Sequence, residues 1–393
     1  MNMIMNWHER LETILGESDG AARKRESTYF DRVSGGHPIV LFGAGSLGRR
    51  LARGLRACGC ELLAFSDNNP SIWDQELEGT KVLSPQVAAD RFGRTAVFVI
   101  AIWHPSRTGG LRQVAEQLQQ LGCDRVAPFV WLLWKYPGTF LPYYLWDLPS
   151  KLLRRSEEIL RASKLFDDEV SRREFVSQVA FRATGNFSCI SEASLQVQYF
   201  PDDLFRLLPE EVFVDCGAYD GDSLRDFIRV TGGRFKRIIA FEPDPSNCSS
   251  LNGFLNGEPE VAARITCYPC ALGRVLQRVR FRSTGLANAA VSQEGEIEVQ
   301  CVTLDQALKG ECPTFIKMDI EGAELDALWG GADIIRRDKP LLAICTYHQQ
   351  DHLWQIPLTL RQLLPESRLF LRAHCLDGFD LVCYAVPKER PSA

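Results

Sequence analysis

The segment VFVDCGAYDGDS (Val212–Ser223) decides how the fold is read. Val212, Phe213 and Val214 form an apolar run that ends at Asp215, Gly217 and Gly221 punctuate a turn, and a helix is predicted from Ser223 onward. Glycine permits a tight turn and lets backbone approach a ligand closely, while a helix amino terminus offers unpaired N–H donors to a carboxylate or phosphate. The next predicted strand, in IIAFEPDPSN, ends at Glu242, 27 residues after Asp215. An acidic side chain at that place can accept both ribose hydroxyls of a nucleoside. A single acidic strand end could simply cap its own turn. Two in succession, with glycines between them, point to a nucleoside.

The turn reads DxGxxxG rather than GxGxxG, so it lacks the glycine placement expected for a pyrophosphate and suits a nucleoside bearing an amino-acid arm. S-adenosylmethionine fits that description. Working outward, strands are expected at Val212–Asp215, Arg237–Phe241, Arg264–Tyr268, Thr314–Met318 and Leu341–Thr346, with extra β-structure over Arg278–Thr303. RLFLRAH and DLVCYAV are separated by five residues, Cys375–Phe379, too few for a parallel crossover, so they must pair antiparallel. A parallel sheet ending in such a hairpin is the class I methyltransferase arrangement.

Toward the amino terminus a second α/β pattern appears. Pro38–Phe42 meets GAGSLG, then a helical stretch to Cys60 and a strand Glu61–Ser66, followed by AVFVIAIW (Ala96–Trp103), a helix over Leu111–Leu121 and RVAPF (Arg125–Phe129). GAGSLG matches GxGxxG at Gly43, Gly45 and Gly48, and Asp67 follows at about the ~20-residue spacing of a dinucleotide site. This Rossmann-like domain would hold NAD or a nucleotide sugar, or serve as a scaffold for packing or homo-oligomerisation. An NAD(P)-dependent oxidoreductase is therefore the rival class, although no hydride-transfer site is recognisable nearby. The domains are placed at 36–135 (Rossmann-like), 136–205 (connector) and 206–393 (methyltransferase-type). In the connector, Phe129–Pro149 is aromatic and broken by prolines, which suits buried packing over a sugar-stacking wall. Apolar residues of Lys151–Arg182 recur at helical intervals.

Composition bounds the function. With 393 residues, 45% hydrophobic and 24% charged, the chain is an ordinary folded protein of two or three domains. A net charge of -5 gives no general attraction to nucleic acid or acidic membranes, so a small-molecule or saccharide acceptor is favoured. No apolar run approaches the roughly 20 residues of a membrane span, and no secretory signal opens the chain, so a cytoplasmic location is expected. Thirteen scattered cysteines read as reduced thiols, and neither Cys58/Cys60 nor Cys267/Cys270 has a second ligand pair at zinc-site spacing, so no structural metal is expected.

The fourth strand of the second region runs into FIKMDIEGAEL, and here the chain resembles the FkbM family of methyltransferases. The likeness covers about residues 195–388 and is carried by YFPDDLF, VDCGAYDGDS, FEPDP, CALG, KMDIEGAE and TYHQQDHLWQIP. The resemblance implies methyl transfer from S-adenosylmethionine to a hydroxyl of a sugar, polysaccharide or secondary metabolite. It implies cofactor contacts at Asp215, Gly217, Ala218, Gly221 and Glu242, with Ala271 and Leu272 near the adenine, and it sets Asp319 and Glu321 at the reaction centre. In STGLANAAVSQEG, many relatives carry serines where this chain has Ala289 and Ala290.

Loss of the acceptor proton calls for a base, and His348, Asp319 and Glu321 are the candidates. His348 ranks first because it follows the fifth strand at the carboxyl edge of the sheet, where open α/β folds bind ligands. Asp319 and Glu321 could instead hold a divalent cation, or one could contact the cofactor's ammonium while the other caps a helix. His352 reads as a surface residue in a stretch that lies before a proline-bearing segment and need not be helical, Lys317 as a side chain that snorkels from the strand or orients a carboxylate, and Glu324 as a first-turn helix residue favoured by the macrodipole.

Overall fold

The computed structural model describes residues 6–103, 110–190, 193–194, 196–283, 290–291 and 295–391. Ala289 and most of the STGLANAAVSQEG segment lie outside the described residues. The chain divides into two units. Unit 1 comprises Met1–Leu160, Arg173–Ala193 and Cys375–Phe379, and unit 2 comprises Arg161–Arg172, Ser194–His374 and Asp380–Ala393.

In unit 1 the strands are β1 (Ile39–Phe42), β2 (Leu62–Ser66), β3 (Glu76–Leu77), β4 (Thr80–Leu83), β5 (Val97–Ile100) and β6 (Val126–Pro128), in spatial order β3-β4-β2-β1-β5-β6. All pairings are parallel except β3 with β4. Val40, Leu41, Val97, Phe98 and Val99 are fully buried, as befits strands covered on both faces. The helix Ser46–Ala57 places Leu47, Leu51 and Leu55 four residues apart on its buried side. Each such side chain contributes roughly 1.5–3 kcal/mol when fully buried. The sheet order turns around at β1, so the GAGSLG turn stands at a topological switch point.

The aromatic segment forms the helices Phe129–Lys135 and Pro137–Phe140, with Leu132, Leu133, Trp134 and Trp146 buried. Trp146 meets Phe181 edge to face at 4.6 Å, so these rings make core rather than an exposed wall. Beyond them, helices Pro149–Leu153, Ser156–Ser163 and Glu169–Thr184 occupy the amphipathic stretch.

Unit 2 is built on β7 (Val212–Cys216), β8 (Arg237–Phe241), β9 (Ile265–Tyr268), β14 (Phe315–Met318), β15 (Leu341–Cys345), β16 (Arg368–Ala373) and β17 (Leu381–Val386). Their order is β16-β17-β15-β14-β7-β8-β9. The last two strands pair antiparallel with each other, and β17 runs antiparallel to β15. The other pairings are parallel. Between β9 and β14, the chain builds a separate small sheet from β10 (Ala271–Leu272), β11 (Gln277–Arg282), β12 (Ala290–Val291) and β13 (Ile297–Val302). No helix among the described residues is long and apolar enough to cross a membrane, and all thirteen cysteines are free.

The main sheet of unit 2 reverses its order between β7 and β14. The carboxyl ends of these two strands, where Cys216 leads into Gly217 and Met318 into Asp319, are where open α/β sheets bind ligands.

Gly48 explains one element of the unit 1 fingerprint without a ligand: a Cβ there would lie 2.0 Å from the Gly43 carbonyl oxygen. Gly48→Ala should destabilise unit 1 by about 1–3 kcal/mol through overpacking, read as a lowered midpoint in denaturant unfolding.

Candidate active site

Parallel register sets Lys317 of β14 directly beside Asp215 of β7. The Lys317 ammonium donates to Asp215 Oδ1 at 2.9 Å and to the Gly217 carbonyl at 2.6 Å, and both side chains are buried. Ser223, in the first turn of the helix Asp222–Thr231, donates its hydroxyl to the other Asp215 oxygen. Burial pushes the Asp215 carboxyl up, opposed by the charge of Lys317 and the Ser223 hydrogen bond. Asp215 thus faces protein on both oxygens and fixes the turn that follows it.

That turn sits against the acidic strand end beside it. Gly217 has φ +88°, and a Cβ on it would fall 1.9 Å from the Asp319 carbonyl oxygen. Its N–H and that of Ala218 donate to Phe241 at the end of β8, at 3.0 and 3.1 Å. Gly221, at φ +91°, begins the helix Asp222–Thr231 without a side chain to cap it, and neighbouring carboxylates take the first N–H groups: the Asp222 N–H donates to Asp220 Oδ1 at 3.1 Å and the Ser223 N–H to Asp222 Oδ1 at 2.6 Å. Glu242 is buried beside it. Its oxygens accept the Tyr219 N–H at 2.8 Å and the Asp244 N–H at 2.9 Å, and burial raises its carboxyl while these bonds oppose the rise. Ala271 and Leu272 are buried on β10, in the small sheet.

The structure brings the three proton-transfer candidates together. His348 Nε2 lies 3.2 Å from Asp319 Oδ1 and 3.5 Å from Glu321 Oε1, and its Nδ1 is 2.8 Å from Glu324 Oε1. Exposure separates their tasks: the Asp319 and Glu321 side chains are 22% and 16% exposed, whereas His348 and Glu324 are 1% and 0% exposed. Only the first two can reach a small molecule.

Burial alone would lower the pKa of His348, but the charges of Glu324 and Glu321 and the bond to Asp319 outweigh it and hold the ring well above its ordinary value. These neighbours favour the imidazolium form of His348. Asp319 is pushed up by burial yet held at about 2 by His348, Lys317 and the Tyr199 hydroxyl, which donates to Oδ2 at 2.7 Å. Glu321 is raised, because burial exceeds the help it receives from His348. One imidazolium thus serves three carboxylates of unequal basicity.

Several members of this network were not singled out as site residues in the sequence. Tyr199 reaches Asp319 from 120 residues away, and Tyr347 approaches the same carboxylate at 3.4 Å. Glu324 starts the helix Glu324–Gly330 as expected of a first-turn acid, but it also bridges two histidines. His352, expected at the surface, is buried, with Nδ1 3.2 Å from Glu324 Oε2. It opens the helix His352–Leu363, which contains Pro357. The burial of Leu353, Trp354, Ile356, Leu360 and Leu363 outweighs the roughly 3 kcal/mol helix penalty of that proline. Metal-ligand-type atoms of Asp319, Glu324 and His348 lie within 4.8 Å of one another. Glu324 and His348 direct theirs at each other, which makes the group an ion-pair network.

In unit 1, Gly43, Gly45 and Gly48 lie in or just past the turn after β1, and a Cβ at Gly45 would meet open space. Asp67 follows β2 and accepts the N–H groups of Ala44 and Asn69, each at 2.8 Å.

Residues 215–374 match the family model described as the Methyltransferase FkbM domain. The matched stretch is similar to that family. It spans the Asp215 turn, the acidic network and most of the main sheet of unit 2. The fold of the whole chain is similar to that of methyltransferase FkbM from Methylobacillus flagellatus KT, at 24% identity and TM-score 0.77, over 97% of this chain and 100% of that one. More partial likenesses, too limited to carry an argument, are to UDP-D-quinovosamine 4-dehydrogenase from Vibrio fischeri (23% identity, 23% of this chain and 76% of that one, TM-score 0.21) and to a putative rRNA methylase from Clostridium thermocellum (8% identity, 48% of this chain and 90% of that one, TM-score 0.31). No curated protein matches the chain.

Two consequences of the electrostatics of unit 2 are measurable. Asp215→Ala leaves the buried Lys317 ammonium without its carboxylate and should destabilise the domain by about 3–5 kcal/mol in urea unfolding. Asp319 has a depressed folded pKa, so its contribution is present above the unfolded value and is lost as pH falls through about 2. The stability gap between wild type and Asp319→Asn, about 2 kcal/mol at neutral pH, should narrow between roughly pH 4 and 2 in thermal unfolding.

Proposed function

We propose that the protein is an S-adenosylmethionine-dependent O-methyltransferase acting on a hydroxyl of a sugar, polysaccharide or secondary metabolite. The observation that carries this reading is the packing of the Gly217 turn on the Asp319 carbonyl. It sets the glycine-bearing turn after Asp215 and two partly open carboxylates at neighbouring strand ends.

The residues present suit the cofactor. Asp319, which stays ionised, offers negative charge to its cationic ammonium and sulfonium groups. Glu242 and Gly217 would border its ribose, with Ala218, Ala271 and Leu272 on the adenine side. When bound, S-adenosylmethionine supplies an electrophilic methyl group on sulfur.

The chain's own tasks are to align the acceptor oxygen, exclude water and take a proton. As the new C–O bond forms and the C–S bond breaks, the acceptor proton passes to a carboxylate. Glu321 is the better acceptor: it is partly open and its pKa is raised, whereas Asp319 at about 2 is too weak a base. His348, already protonated, holds Glu321 in place and keeps the pair from collapsing by mutual repulsion.

The oxidoreductase reading of unit 1 has less support, because no hydride-transfer site is recognisable in the sequence near GAGSLG. A nucleotide-linked acceptor at the open Gly45 position is the role we assign to that turn.

Calorimetry with S-adenosylmethionine and a screen for labelled methyl incorporation into sugars test the proposal; no binding by the wild-type protein would refute it. Glu321→Gln should retain cofactor affinity and lose about 10²- to 10⁴-fold in turnover. Wild-type turnover should fall on acidification as Glu321, with its raised pKa, takes up a proton.

A further inference from the structure

The acidic turn after β14 is held by one buried carboxylate that has no open path to a substrate. Glu324 Oε1 accepts the N–H of Ile320 at 2.9 Å, approaches that of Gly322 at 3.4 Å, and faces His348 Nδ1 at 2.8 Å. Its Oε2 lies 3.2 Å from His352 Nδ1, and neither side chain is more than 1% exposed. The segment so gripped is strained: Glu321 has φ +54° and Gly322 φ +105°. A non-glycine residue in the left-handed region costs about 1–3 kcal/mol and persists only where its surroundings over-determine it. Glu324 supplies that determination, since the same oxygen that fixes the backbone on either side of Glu321 also fixes the imidazole that Glu321 faces.

We propose that Glu324, steadied from behind by His352, is the positioning residue of the site: it sets together the pitch of the turn that presents Glu321 and the ring orientation of His348. The catalytic meaning of this assignment rests on the methyltransferase reading; the physical arrangement does not. A His–carboxylate–His chain of this form can fix which His348 nitrogen points to the turn, leaving Nε2 for Asp319 and Glu321. A glutamine at position 324 could still accept the Ile320 N–H with its oxygen and turn its NH₂ toward His352. It would remove one of the three negative charges around His348. The remaining groups facing that ring are Asp319 and Glu321 from the turn and Cys345 and Tyr347 from its own strand end, with Lys317 beyond Asp319.

The test uses the full chain with isotope-labelled histidine, and it needs no ligand. His348, assigned by its loss in a His348→Asn variant, should titrate lower in Glu324→Gln by on the order of one pH unit or more. A purely structural Glu324 would lower stability without moving that titration, so an unchanged His348 curve overturns the proposal. His352 gives an independent arm if Glu324→Gln does not fold. His352→Asn keeps a donor where Nδ1 stood and should preserve slow amide exchange at Ile320 and Gly322. His352→Leu should speed that exchange at least about tenfold, the effect of weakening one such hydrogen bond by about 1.4 kcal/mol. Equal exchange in the two His352 variants also overturns the proposal. Failure of S-adenosylmethionine to bind the wild-type protein would instead remove the methyltransferase reading and leave these outcomes standing.

Discussion

The buried pair of Lys317 and Asp215 is the constraint from which the site is assembled. Two charges taken out of water stabilise little in themselves, because desolvation consumes most of their attraction. Their value here is geometric. Lys317 reaches across one strand pairing to hold Asp215 and the Gly217 carbonyl at once, and Asp215 holds Ser223 at the helix start. The turn thus fixed lies so close to the Asp319 carbonyl that no side chain fits between them. The turn after Asp215 and the acidic turn after β14 form one structural element.

Around His348 the same residue type does three different things. Glu324 is sealed and anchors, Asp319 is heavily hydrogen-bonded and stays ionised far into acid, and Glu321 is half-sheltered with few donors and so becomes the basic one. Environment separates their roles, as it does wherever neighbouring carboxylates divide acid and base duties. A single imidazolium keeps the group from flying apart.

Most strands of the two main sheets were legible because each is a short apolar run punctuated by glycine or an acid, and the short last connection gave the antiparallel hairpin, whereas β3 and β4 carry too little apolar sequence to be seen. Strand ends such as Asp215, Glu242 and Asp319 could be read as a set because they terminate successive strands of one sheet. The clamp around them was not legible. Tyr199 meets Asp319 across 120 residues, a separation at which residue type carries no spatial signal. His352 was misread because Pro357 suggests a broken segment, while the apolar face that keeps the helix intact is apparent only once its burial is known. Lys317 and Glu324 had recognisable local roles, but a local role does not disclose that a side chain also serves as a junction.

The turn Cys375–Phe379 belongs to unit 1, while the strands that flank it, β16 and β17, belong to unit 2. Within unit 1 its Phe379 ring lies 4.3 Å from Trp103, and the Asp377 carbonyl receives the Trp103 indole N–H at 2.8 Å. A five-residue hairpin tip is ordinarily free to vary in length and composition. Here shortening it would strip an indole of its acceptor in a unit whose main span ended more than two hundred residues earlier. Because the chain passes back and forth between the units, no single cut in the backbone yields both of them whole.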